Sequence, residues 1–160
     1  MNDFPVTRAR RALLASLVLV GMGFSVMLPL LAPIGRELGF SELQTTSIMA
    51  ASSLTVFLMS PVWGRVSDTW GRKRTMMLGL FGFAAGTALF NSVLYVGFAG
   101  LLVGMPLFLT LCATRVMHAV IMSASMPSST AYMADITDAT TRTSGMGATG
   151  AASNLGAVLG

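Results

Sequence analysis

Charge is what this sequence has least of: acidic and basic residues make up 10% of its 160 positions, while 54% are hydrophobic. A soluble globular domain carries about 25% charged residues, so this composition excludes one and points to a chain that lives in a bilayer. Acids are also missing from the interior of every long apolar run, so the chain supplies no carboxylate proton carrier at mid-membrane. The single cysteine, Cys112, excludes an internal disulfide and, sitting in an apolar run, reads as a small buried hydrophobe. No Gly-x4-Gly-Lys-Ser/Thr loop is present, which argues against an ATP-driven pump. Metal-ligand clusters and nucleophile–base arrangements are lacking too, so an enzyme is not expected, nor a metal or any other cofactor. The net charge of +4 does not imply a nucleic-acid partner, because the basic residues gather in short clusters beside apolar runs and not along one face.

What is there is a succession of uncharged stretches, and their lengths set the expected architecture, an all-α polytopic membrane helix bundle. A leader over 1–11 ends in Arg8, Arg10 and Arg11, and the uncharged run that follows predicts a helix over 12–35, about 36 Å at 1.5 Å per residue. A cleavable signal peptide competes for this segment, but the stretch is too long and its Gly21-Met22-Gly23 triplet leads into more apolar sequence. Further spans are predicted over 43–63, 75–93, 105–134 and 143–160. The uncharged stretch from Thr75 to Thr114 is too long for one helix, so a turn is placed within Asn91 to Gly104. The second span is rich in serine and threonine, which suits a face turned to other helices or a cavity. Gly82 and Gly86 in the third suit close helix packing.

The most charged stretch is Gly64-Arg65-Val66-Ser67-Asp68-Thr69-Trp70-Gly71-Arg72-Lys73-Arg74, which holds five of the sixteen charged residues and reads as a short aqueous loop between two spans. Basic residues concentrate on one side of the predicted topology: Arg8, Arg10, Arg11, Arg65, Arg72, Lys73, Arg74 and Arg142, against Arg36 alone on the other. This bias predicts a cytoplasmic N-terminus, and the expected location of the multi-pass chain is the plasma membrane, a bacterial inner membrane.

Inside the apolar spans the sequence holds one basic residue, Arg115, with His118 one helical turn along the same face. A mid-membrane charge costs about 2.5 to 3.5 kcal/mol on insertion scales, so it faces a bundle interior or a wet cavity. Snorkelling competes, because Arg115 lies roughly 15 Å from the predicted start of its helix. His118 either titrates near neutral pH or serves as a hydrogen-bonded structural histidine. Asp68 and Asp135 mark the ends of two spans, where they either engage the basic cluster or stay solvated.

The charged stretch resembles the loop between helices 2 and 3 of the major facilitator superfamily, Gly-x-Leu-Ala-Asp-Arg-x-Gly-Arg-Lys-Arg, matching at Gly64, Asp68, Gly71, Arg72, Lys73 and Arg74. Val66, Ser67 and Thr69 depart from it, the last removing one loop charge. Arg115-Val116-Met117-His118-Ala119 is similar to that family's helix 4 pattern Arg-x-x-Gln-Gly, with His118 for Gln and Ala119 for Gly. Gly147, Gly156 and Gly160 resemble the helix 5 glycines of its antiporters, the last of which a proline follows directly.

The resemblance, from about Ala12 to Gly160, implies the greater part of the first six-helix half of a secondary transporter, an N-terminal fragment whose partner is the missing C-terminal half. It implies a small-molecule substrate, protons as coupling ion, and efflux of drugs or other small amphipathic compounds. Arg115 and His118 would serve substrate and proton coupling. The 2–3 loop and Asp135 would gate, Asp135 pairing with Arg72 and Asp68 meeting a helix N-terminus of the second half. Two other readings stay open: a metabolite importer of the same superfamily, and a small structural membrane protein that transports nothing.

Overall fold

A computed structural model describes residues 4–138 and 140–160. Every regular element among them is an α-helix: α1 (Phe4–Glu37), α2 (Glu42–Trp70), α3 (Arg72–Phe98), α4 (Gly104–Met122), α5 (Ser125–Asp135) and α6 (Arg142–Leu159). Four stretches among the described residues are long and apolar enough to cross a membrane: Thr7–Glu37, Glu42–Trp70, Arg72–Phe98 and, with α4 and α5 taken together, Gly104–Asp135. The fifth expected span, α6, has the length but not the hydropathy. Arg142, Asn154 and its glycine, serine and threonine content dilute it, and α1 covers one of its sides.

The charged loop expected over Gly64–Arg74 is almost absent. Helix α2 runs through Arg65 and Asp68 to Trp70, α3 begins at Arg72, and Gly71 alone joins them at φ 98°. An L-residue with a side chain is strained at that angle, so glycine permits a reversal one residue long. The leader is likewise helical from Phe4 through Arg8 and Arg11, since arginine and alanine favour helix and nothing there stops it. At the opposite end of the bundle Ser41 starts α2 with a reciprocal cap. Gln44 N–H donates to Ser41 Oγ at 3.2 Å, and Ser41 N–H donates to Gln44 Oε1 at 2.9 Å. The turn between α3 and α4 falls at Ala99–Val103.

The long helix expected over 105–134 is interrupted at Ser123–Ala124. Pro127 cannot donate to the Ser123 carbonyl and its ring crowds that carbonyl, so the ladder tightens there and Ala124 N–H bonds Ile121 O at 3.2 Å instead. Trp63 of α2 braces the site, its Nε1–H donating to the Val120 carbonyl at 2.6 Å.

Two glycine-rich seams bring backbones together. A Cβ on Gly79, Gly82 or Gly86 of α3 would strike Ser125, Ile121 or the His118 ring, so these glycines seat α3 against α4 and α5. In the second seam Gly21 of α1 lies on the Ser153 carbonyl, Gly156 on the Val18 carbonyl and Gly160 on the Met22 backbone, while Ser25 Oγ–H donates to the Ala157 carbonyl at 2.6 Å. In lipid such small-residue contacts replace the hydrophobic drive as the source of helix association. The core divides in two. Leu31, Phe40, Ile48, Phe90, Leu94, Leu107 and Leu111 pack at the Ser41 end, and Leu13, Leu17, Met133 and Ala152 at the Gly71 end. Leu19, Phe57, Phe81 and Val158 are exposed, as lipid-facing side chains of a membrane bundle are.

Candidate functional site

Arg115 sits mid-way along α4 and is 6% exposed, so it does not snorkel to a surface within this bundle. Its Nη1 donates to Met27 Sδ of α1 at 3.1 Å and to His118 Nδ1 at 3.2 Å. The guanidinium carbon lies 5.3 Å from the centroid of the Phe90 ring of α3, a cation–π geometry. None of these partners carries negative charge. Arginine has no acceptor, so its bond to Nδ1 fixes the tautomer of a neutral imidazole, whose hydrogen must sit on Nε2. His118 is 2% exposed, packs against Gly86 and lies 5.7 Å from the Phe83 ring, which makes it a structural companion of Arg115. Both residues line a cavity of about 230 Å³ between α1, α2 and α4, whose other walls include Phe24, Met49, Ser52, Ser53 and Val56. The serine-bearing face of α2 thus lines a cavity together with the buried arginine.

A second cluster lies at the Gly71 end. Arg72 opens α3, where Gly71 releases its side chain toward both neighbours. Nη1 donates to Asp68 Oδ1 at 2.8 Å and Nε to Asp135 Oδ2 at 2.5 Å, tying the ends of α2, α3 and α5 together. The two carboxylates are more than half exposed, and such pairs contribute only about 0 to 1 kcal/mol, which suits a contact that breaks in use. Ser67, one of the departures noted above, is 1% exposed and its Oγ accepts from Arg72 Nη1 at 3.4 Å. Lys73 and Arg74 point outward, and among the described residues neither has an acidic partner. Gly64 lies inside α2 with open space beside it.

The helix 5 glycines separate into two groups. Gly156 and Gly160 press on α1, whereas Gly147 faces open space and the structure brings it to nothing. Sequence reasoning missed Met27, Phe90, Trp63 and the depth of Ser67. Apart from Ser67 none lies near its partner in the chain, and no local pattern marks it.

Comparison with known proteins bears on these clusters. Residues 13–160 match the family description Major Facilitator Superfamily. The chain belongs to that superfamily. Multidrug resistance protein 1 of Bacillus subtilis (strain 168) is 30% identical over 148 residues, covering 92% of this chain and 35% of the relative. A triacylglyceride transporter of Mycolicibacterium smegmatis is 31% identical over 136 residues, covering 85% of this chain and 22% of the relative. Multidrug resistance protein 2 of the same Bacillus strain is 28% identical over 148 residues. The chain therefore spans about a third or less of the length of these relatives. Major facilitator proteins are multi-pass membrane transporters and not enzymes.

Proposed function

We propose that this chain supplies the larger part of the first half of a secondary transporter that exports small amphipathic compounds by alternating access, with protons as the coupling ion and the N-terminus in the cytoplasm. The observation that carries the reading is Arg115, a buried cation lining an otherwise largely apolar cavity. A charge so costly to bury faces a bundle interior or wet cavity when it serves a solute or proton path. The exposed Arg72–Asp68–Asp135 cluster supports it as a contact between helix ends that forms in one state of a rocking transporter and opens in the other. Gly156 and Gly160 contribute a close seam with α1, the helix whose Phe24 lines the cavity. The drug-resistance names of two relatives favour efflux over metabolite import, and the triacylglyceride transporter favours an amphipathic or lipid-like cargo.

The test uses the longest open frame at the locus, expressed and assayed in inverted vesicles for proton-dependent movement of fluorescent amphipathic dyes, with Arg115→Ala beside it. Transport that collapses the gradient-driven signal and falls at least about tenfold in the variant is expected. Normal transport by Arg115→Ala would remove the arginine from the mechanism, and no transport of any dye would favour a structural role.

A further inference from the structure

We propose that the Arg115 cavity receives the acidic head of an amphipathic anion, an organic carboxylate carried on an apolar body, and discriminates against cationic amphiphiles of the same shape. This rests on the transporter reading above and narrows it to a charge class.

The argument is one of donors and acceptors. The contacts to Arg115, namely a thioether, an imidazole nitrogen and an aromatic face, are all uncharged. Its Nε–H is buried and has no partner among the described residues, and the same is true of His118 Nε2. Because Nδ1 accepts from Arg115, the Nε2 atom of the neutral ring is a donor as well. The pair therefore leaves two buried donors without an acceptor and a positive charge without a counter-ion among the described residues, next to a cavity that both side chains line. An unpaired buried donor is costly, and a buried charge more so.

The three elements around the cavity hold no carboxylate to answer that charge. On α1 the acid is Glu37 at its last residue, on α2 the acids are Glu42 at its first and Asp68 in its last turn, and α4 has none. All lie outside the cavity lining. The remaining walls are Phe24, Met49, Val56, Ala119 and Met122, with Ser53 and with Ser52, whose hydroxyl already donates to the Ile48 carbonyl at 2.8 Å. Such a site offers an apolar bed with cationic donors at its edge, and the ligand that completes it brings an acceptor with negative charge and a hydrocarbon body. A cationic head in the same place meets the guanidinium with no acid of the described helices between them.

The experiment uses the full-length product of the locus in a neutral detergent and two fluorescent probes with one dansyl body and one chain length, ending in a carboxylate or a trimethylammonium group. In the wild type the carboxylate probe is expected to bind at least about tenfold tighter than the cation. Arg115→Gln should bring the two within about twofold, and Arg115→Lys should keep the order. Equal affinities, a preference for the cation, or a carboxylate preference that survives Arg115→Gln would overturn the proposal. The comparison is read first on the wild type, so a variant that fails to fold does not remove the test. Inverted vesicles separate this inference from the one beneath it. A carboxylate probe that binds through Arg115 yet never crosses under a proton gradient defeats the transporter reading and leaves the anion site standing. Probes of both charges crossing alike defeat the anion site and leave the transporter.

Discussion

At position 115 a cation that water hardly reaches is held by atoms from three helices, and the strongest acceptor it meets there is the imidazole one turn further on. His118 contributes to Arg115 a single acceptor, Nδ1 at 3.2 Å, and for the rest fills the space that Gly86 leaves. A glutamine offers an acceptor oxygen at similar reach, and it is the residue the superfamily's helix 4 pattern has there. His118→Gln is therefore expected to stay within about threefold of wild-type transport, while His118→Leu strands the guanidinium donor at a cost of about 1 to 3 kcal/mol and drops transport at least tenfold. A rate in the leucine variant equal to the wild type would show that Nδ1 does nothing for Arg115. The spacing of Arg115 and His118 was legible as a shared helix face, because a three-residue step is local information. Met27 and Phe90 were not, since they reach the site from α1 and α3 and nothing in their own neighbourhoods sets them apart from other apolar residues.

Among the helices, glycines decide which pairs may touch. Gly156 lies on the Val18 carbonyl with no room for a methyl group, whereas Gly147, nine positions earlier on the same helix, has open space beside it. Gly156→Val should force α6 away from α1 and lower stability by about 1 to 3 kcal/mol. Gly147→Ala should leave it unchanged or raise it by about 0.5 to 1 kcal/mol through helix propensity. Thermal unfolding of both variants in detergent measures the contrast, and equal shifts would deny that the seam orders these helices. The glycines were visible in the sequence, but which of them face a neighbour depends on helix rotation, which a pattern of small residues does not fix. Pro127 was equally visible. Its effect at Ser123–Ala124 was not anticipated because proline is tolerated inside membrane helices when neighbours re-satisfy the freed groups, and the bond from Trp63 to Val120 came from another helix. The charged stretch was the clearest signal in the chain, and yet its conformation was misjudged. Charge and glycine indicate where a chain leaves the bilayer, but they do not decide whether it does so as a loop or as two helices carried to their ends.

For the molecule as a whole the proposed orientation puts the Gly71 end in the cytoplasm and the Ser41 end outside. With Cys112 replaced by serine, Glu42→Cys is expected to react with an impermeant maleimide in intact cells, and Thr69→Cys only in inverted vesicles. The opposite pattern would invert the topology. Composition and apolar run length carried four of the five expected spans, because a bilayer constrains sequence along its whole thickness, and the charged motif carried the family resemblance. They carried the order of packing poorly, since α1 lies against α6 from the far end of the chain. One further consequence follows from Gly71. Where a single residue separates two rods, their adjoining ends are never more than two Cα steps apart, roughly 7.6 Å, whatever the rest of the protein does. Such a joint turns but does not slide. Any displacement of α2 relative to α3 must therefore be an opening at the Ser41 end about a fulcrum at the Gly71 end, and the Arg72–Asp68 pair, set beside that fulcrum, travels least, which leaves Asp135 of α5 as the partner that can part from Arg72.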